Sequence, residues 1–179
     1  MIRVQQRRAL HFTKHAVPRA VRAVVLHIAE GSSAAVDSWF ASPASKVSAH
    51  FLVGRDGSLR QYVSVHDVAW HAGRVQEPTW APAIEGARPN LITVGIEHEG
   101  SGVAPWTEAQ LLTSSILSAW LCRRFGLTPT ADDFPMHREI FSGKTCPGPW
   151  FDRDAYLARV AAVLAVFGDA IPKLITGLR

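Results

Sequence analysis

Arg22-Ala23-Val24-Val25-Leu26-His27-Ile28 is a short β-branched run bounded by Glu30-Gly31-Ser32-Ser33, the pattern of a buried strand. Side chains alternate along a strand, so Val25 and His27 share one face and Val24, Leu26 and Ile28 the other. Downstream, Ala49 to Val53 and Ser58 to Val63 flank Arg55-Asp56-Gly57, and Asp-Gly readily takes the positive φ of a tight hairpin turn. Leu91 to His98 reads as the next strand, closed by Glu99-Gly100-Ser101-Gly102. Helices are signalled on either side. Ala34 to Phe40 has the pattern of a short one that stops before Pro43. Thr107 with Gln110 forms a capping box ahead of Leu111, Leu112, Ile116, Trp120, Leu121 and Phe125, with Gly126 as the stop. Asp152 or Asp154 opens a last helix, Ala155 to Phe167, that Gly168 ends.

Strands first and amphipathic helices after them predict an α/β fold. We expect a single domain over residues 1–179, a central mixed β-sheet flanked by helices, with residues 152–168 as the C-terminal helix. Residues 1–20 are basic and weakly patterned and are expected to wrap the surface. Residues 64–90, rich in Trp, His, Pro and Gly, contain no convincing element; a loop of that length in a compact domain is usually functional.

Composition bounds the function. The 179 residues are 47% apolar and 19% charged, enough to build a core without disulfide staples. Intrinsic disorder, collagen-like repeats and a disulfide scaffold are excluded by the same figures and by a count of two Cys. A net charge of +4 and an isoelectric point near 9.5 suit an acidic wall polymer or another polyanion. Apart from Arg7-Arg8 and Arg123-Arg124 the cations form no runs, so nucleic acid is not an expected partner. No stretch approaches the ~18 apolar residues of a membrane span, and the N-terminus lacks an apolar signal segment. A monomer made in a cytoplasm, with Cys122 and Cys146 reduced, is the expectation.

Three segments carry residues able to do chemistry. His27 is the first, although a His among apolar neighbours also suits a hydrogen-bonded core side chain. The second is Met136-His137-Arg138-Glu139-Ile140-Phe141-Ser142-Gly143-Lys144-Thr145-Cys146-Pro147-Gly148-Pro149. Imidazole nitrogen and thiolate sulfur both bind zinc, and the spacing of nine from His137 to Cys146 fits a loop returning to one point. Lys144 puts a cation beside any thiolate or developing oxyanion; a Pro/Gly-rich turn with an incidental Cys is the plainer alternative. The third is Thr93-Val94-Gly95-Ile96-Glu97-His98-Glu99-Gly100. Glu97 there is costly in an apolar strand unless paired or functional, or else sits on an exposed rim.

Together these residues support metal-assisted amide hydrolysis. Catalytic zinc keeps three protein ligands and one open position, and His27, His137 and Cys146 supply two imidazoles and a thiolate for a Zn2+ cofactor. Zinc brings the pKa of water towards ~7, Glu97 is the candidate base, and Lys144 can stabilise the oxyanion. A cysteine hydrolase using Cys146 with His137 or His27 is a competing reading. The H-x-E and P-C-x-x-C signature of zinc deaminases is absent. Cys122, among Trp120, Leu121 and Phe125, reads as a buried packer.

Val24-Val25-Leu26-His27, Ser48-Ala49-His50-Phe51-Leu52-Val53 with Arg55-Asp56-Gly57, Ala69-Trp70-His71-Ala72-Gly73, Asn90 with Val94-Gly95-Ile96-Glu97, and His137 with Lys144-Thr145-Cys146-Pro147-Gly148-Pro149 follow one another over residues 22–151. In that order they resemble the zinc-dependent N-acetylmuramoyl-L-alanine amidases of type 2. That family includes phage endolysins, bacterial amidases and peptidoglycan-recognition proteins. The resemblance implies zinc on His27, His137 and Cys146, with Glu97 and Lys144 assisting catalysis. It implies cleavage of the amide between N-acetylmuramic acid and L-alanine, in peptidoglycan or a muropeptide. It also places His50, Trp70, His71 and Asn90 at the substrate groove.

Two departures bear on the substrate. Many phage lysozymes and recognition proteins of the family carry a catalytic Tyr where this chain has Ala49. The Ser-Ala-His form resembles instead the cytosolic amidases that recycle anhydro-muropeptides, yet those usually have Asp where this chain has Cys146, as phage lysozymes do. A phage-type lysin, acting on the wall after release from the cytoplasm, is the preferred expectation, with the recycling enzyme as its alternative. A non-catalytic peptidoglycan-binding module is a further alternative, which the complete ligand set opposes.

Overall fold

The computed structural model describes residues 1–178. In chain order the strands are β1 (Ile2–Gln6), β2 (Phe12–Thr13), β3 (Ala23–Leu26), β4 (Phe51–Val53), β5 (Leu59–Gln61), β6 (Val68–Ala69), β7 (Thr93–His98) and β8 (Ile175–Thr176). The helices are α1 (Ser33–Phe40), α2 (Ala81–Ile84), α3 (Pro89–Ile92), α4 (Glu108–Phe125), α5 (Arg153–Phe167) and α6 (Ile171–Leu174). Six strands form one mixed sheet in the order β3-β7-β4-β5-β1-β8, which bears out the expected central mixed sheet. Within it the β4–β5 hairpin is antiparallel, while β3 with β7, β7 with β4, β5 with β1 and β1 with β8 are parallel; β2 and β6 form a separate antiparallel pair. Gly57, with φ +81°, makes the hairpin turn, and a Cβ there would lie 3.1 Å from the Ala109 carbonyl oxygen.

The faces of β3 and β7 divide as alternation requires. Val24, Leu26, Val94 and Ile96 join Leu117 and Leu121 of α4 and Tyr156 and Val160 of α5 in the main core. On the opposite face Ala23 and Val25 pack with Ala72, Trp80, Ala83 and Ile140. His27 and Glu97 have the parity of that second face, away from the two long helices.

Helix ends match their sequence signals. Thr107 Oγ1 accepts the Gln110 amide at 3.1 Å, and the Thr107 amide donates to Gln110 Oε1 at 3.1 Å. Gly126 closes α4 at φ 70°, and Asp152 accepts the Ala155 amide at 3.0 Å to open α5.

Four expectations are corrected. The first segment does not merely wrap the surface: β1 lies inside the sheet, because Val4 is buried while its polar neighbours stay outward. Residues 64–90 hold β6, α2 and the start of α3, which runs on through Leu91 and Ile92 where a strand was expected, and buried Trp80 donates its indole N–H to the Asp132 carbonyl at 2.9 Å. The buried side of α4 is more polar than its apolar spacing implied. Leu112 is 57% exposed, whereas Gln110, Ser114 and Ser118 are buried. Those hydroxyls are satisfied internally: Ser114 and Ser118 Oγ lie 2.7 and 2.6 Å from Tyr156 Oη, which removes the penalty of burying them. Lastly, Arg153–Leu174 is long and apolar enough to cross a membrane by length and composition, with a mean hydropathy of 1.5, although Tyr156, Leu157, Val160 and Ile171 within it pack in the core.

His98 joins this hydroxyl cluster. Its Nδ1–H donates to the His27 carbonyl at 2.9 Å, and its Nε2 lies 2.8 Å from Ser114 Oγ. Trp106 stacks on the ring with centroids 3.6 Å apart. Burial pushes the His98 pKa down to about 3. Since an unfolded His titrates near ~6.5, the unfolded chain binds a proton that the folded chain refuses as pH falls through that value. Stability from this group is full above pH ~6.5 and is lost on acidification. Between pH 6.5 and 5.5, urea unfolding of His98→Gln should show a stability loss smaller than that of the wild type by about 1 kcal/mol; equal slopes would refute the assignment.

Candidate active site

A segment that belongs to no named strand brings the distant residues together. The Val24 amide donates to the Asp133 carbonyl at 2.8 Å and the Leu26 amide to the Pro135 carbonyl at 3.2 Å. Residues 133–136 thus run along the free edge of β3, with Leu26 bridged to Met136. His27 continues the other edge, its amide donating to the Ile96 carbonyl at 2.9 Å. His27 and His137, 110 residues apart in sequence, therefore stand side by side with Nδ1 atoms 3.0 Å apart.

His137 opens a 3-10 turn, His137–Glu139, from which the chain loops back. The Arg138 amide donates to the Cys146 carbonyl at 3.4 Å, and the Cys146 thiol points at the Ile28 carbonyl at 3.7 Å. Glu139 ties this loop to α5: it accepts the Met136 amide at 2.7 Å and receives Arg153 Nη1 on both carboxylate oxygens, at 2.8 and 2.7 Å.

One potential ligand atom from each of His27, His137 and Cys146 lies within 4.8 Å of the other two, and all three residues are buried. Four-coordinate zinc with ligand distances of about 2.0–2.3 Å needs donors spaced by roughly 3–4 Å. Burial holds the His27 pKa well below the usual value and that of His137 at about 4, so both rings are neutral donors. Burial also pushes the Cys146 thiol up to about 11, which makes it a poor free nucleophile and a thiolate only beside a strong cation.

These three residues line a cleft of about 330 Å³ together with Glu97, Lys144, Trp70 and His71. Glu97 Oε2 is shielded and has no hydrogen-bond partner. Burial raises its pKa to about 8, Lys144 opposes the rise and Glu30 adds to it. An unpartnered carboxylate beside two imidazoles and a thiol is the arrangement a divalent cation would relieve, because a nearby dication favours the ionised form. The donor set therefore fits zinc. Lys144 is exposed at the mouth.

The remaining sequence candidates separate. Trp70 is half-buried, donates its indole N–H to Thr13 Oγ1 at 3.1 Å, and divides the cleft from a second cavity of about 490 Å³. His71 reaches the cleft, but its ring nitrogens lie 3.1 Å from His27 Nε2 and 3.1 Å from Thr93 Oγ1. His50 is fully buried behind the cleft: Nδ1 accepts the Gly95 amide at 3.0 Å, and Nε2 lies 3.2 Å from the Asp67 carbonyl. Asn90 borders the second cavity and not the cleft, and its Oδ1 accepts the His71 and Ala72 amides at 3.1 and 2.8 Å. Ala49 is enclosed with Val36, Phe40 and Leu52, so that position offers the cleft no hydroxyl.

Sequence reasoning missed Arg19, whose buried guanidinium donates to the carbonyls of Val65 at 3.0 Å, Asn90 at 3.0 Å and Thr93 at 2.8 Å. It also passed over Thr93 and Gly95. A glycine inside a strand signals close approach, and a Cβ on Gly95 would lie 2.4 Å from His71 Cγ.

Comparison with known proteins gives the family and the fold. The chain is 35% identical over 108 residues to N-acetylmuramoyl-L-alanine amidase A of Achromobacter lyticus, a match covering 59% of this chain and 53% of that protein. It is 35% identical over 117 residues to the 1,6-anhydro-N-acetylmuramyl-L-alanine amidase AmpD of Haemophilus influenzae, covering 64% of this chain and 59% of the relative. The chain thus spans little more than half the length of these curated relatives. Its fold matches a crystal structure of a selenomethionine AmpD derivative with a TM-score of 0.70 and 28% identity, over 89% of this chain and 93% of that one. Residues 17–149 match the N-acetylmuramoyl-L-alanine amidase family model, the span that holds every residue of the cleft, and the chain belongs to that family.

Proposed function

We propose that this chain hydrolyses the amide between N-acetylmuramic acid and L-alanine, with zinc held by His27, His137 and Cys146. The convergence of those three donors with Glu97 and Lys144 in one cleft carries the reading. Zinc bound there would supply Lewis-acid polarisation and acidify water. Glu97 is the base: Oε2 has no competing partner, so it can take a proton from the attacking water and return it to the leaving nitrogen of L-alanine. Lys144 offers an ammonium to the carbonyl oxygen as it gains negative charge. Trp70 gives the substrate an amphipathic wall, and the cavity beyond it leaves room for further substrate atoms.

The form of the substrate follows the relatives. AmpD proteins that share about a third of the aligned residues are named for the 1,6-anhydro-muramyl compound, which favours an amidase acting on free anhydro-muropeptides, the substrate of a recycling enzyme. The endolysin reading preferred from sequence has Cys146 and the basic charge in its favour. Mass spectrometry of digests decides between them: rapid release of stem peptide from anhydro-muropeptides with little attack on intact sacculi is expected. The reverse preference would establish the lysin.

Removing Cys146 tests the metal. Cys146→Ser should bind well under one zinc per chain by metal analysis, and chelation of the wild type should abolish turnover until zinc is restored. Activity that survives chelation but dies with iodoacetamide would transfer the chemistry to the thiol.

Glu97→Ala is expected to keep its zinc and lose turnover by ~10²–10⁴-fold. Lys144→Ala should lower kcat by ~10²-fold with a smaller change in KM. Wild-type rates in either variant would remove that residue from the mechanism.

A further inference from the structure

The polar partners behind the cleft form a chain whose hydrogens can be assigned from its end. The Pro89 carbonyl can only accept, and Thr93 Oγ1 lies 2.7 Å from it, so the single hydroxyl proton of Thr93 is spent there. His71 Nε2, 3.1 Å from the same oxygen, must then be the donor of its pair. Neither His71 nor His27 has a carboxylate among its hydrogen-bond partners, and a buried imidazole so placed carries one proton. With that proton on Nε2, His71 Nδ1 is a bare acceptor. His27 Nε2, 3.1 Å away, must donate to it, which leaves His27 Nδ1 bare.

His137 is set independently. Its Nε2–H donates to the Ala72 carbonyl at 3.1 Å, so its Nδ1 is bare as well. Two lone pairs consequently face one another across 3.0 Å with no hydrogen between them, a repulsive contact that a cation would convert into shared ligation.

Both assignments issue from one dipeptide. The His71 ring holds His27, the Ala72 carbonyl holds His137, and Asn90 Oδ1 accepts both of their backbone amides. Gly95 leaves the space that the His71 ring occupies.

We propose that Thr93, His71 and Ala72, pinned by Asn90, are positioning groups that fix the protons of His27 and His137 on Nε2 and so present both Nδ1 atoms to the metal. The proposal rests on the zinc reading above and assigns His71 and Asn90 to the metal centre instead of to substrate contact. Outer partners of this kind are worth ~10–100-fold in metal affinity.

The test measures zinc affinity by competition with a chromophoric chelator, and imidazole tautomers by long-range ¹H–¹⁵N correlation in metal-free protein. His71→Leu and Thr93→Val, checked for folding by circular dichroism, should each weaken zinc binding ~10–100-fold. His71→Gln can still accept from His27 and donate to Thr93, and Thr93→Ser keeps the hydroxyl; both should stay within a few-fold of wild type, a rescue that a merely space-filling role would not produce. In the wild type, His27 and His137 should carry their protons on Nε2. A His27 proton on Nδ1, or folded His71→Leu and Thr93→Val proteins with wild-type zinc affinity, would overturn the proposal. Wild-type protein that binds no zinc would overturn the metal reading instead, while the tautomer spectra judge the proton placement separately.

Discussion

Two backbone hydrogen bonds, from the amides of Val24 and Leu26 to the carbonyls of Asp133 and Pro135, hold the active cleft together. They use the unpaired edge of β3, which would otherwise expose a row of donors and acceptors. By lining that edge the segment before His137 acts as a further strand in all but name, and it sets one imidazole beside another. Glu139 and Arg153 then anchor the returning loop to α5, which places Cys146 in the same corner.

The cleft is hostile to charge without a cation. Its imidazoles are held neutral, its thiol is held protonated, and the shielded Oε2 of half-buried Glu97 is unpaired. Removing such groups from water costs folding free energy. A dication would recover that cost by turning the thiol into a thiolate and drawing Glu97 towards its ionised form. Metal binding there would be coupled to stability, whereas the opposite face of the sheet is held by apolar packing against α4 and α5.

A second polar system runs through that apolar face. His98, Ser114, Ser118 and Tyr156 satisfy one another between β7 and the two long helices. Fully partnered, such a network fixes the rotation of α4 and α5 more narrowly than leucines would. His98 also binds the His27 carbonyl, so the helical side of the sheet touches the backbone of a metal-ligand candidate.

Strands β3, β4, β5 and β7, both long helices and the hairpin at Asp56-Gly57 were legible in the chain itself, because periodicity, capping and turn chemistry act over a few residues, and the residue types of His27, Glu97, His137, Lys144 and Cys146 marked them as a candidate set. Residues 1–20 and the buried side of α4 were misread for a related reason. A strand such as Ile2–Gln6 finds its ladder partners in β5 and β8, far along the chain, and Ser114 becomes a core residue when Tyr156 and His98 arrive to bind it. Which nitrogen of each imidazole faces the cleft, and that Asn90 and Thr93 hold His71 in place there, was decided by tertiary contacts alone. Hydrogen-bond direction depends on partners distant in sequence, and no local pattern encodes it.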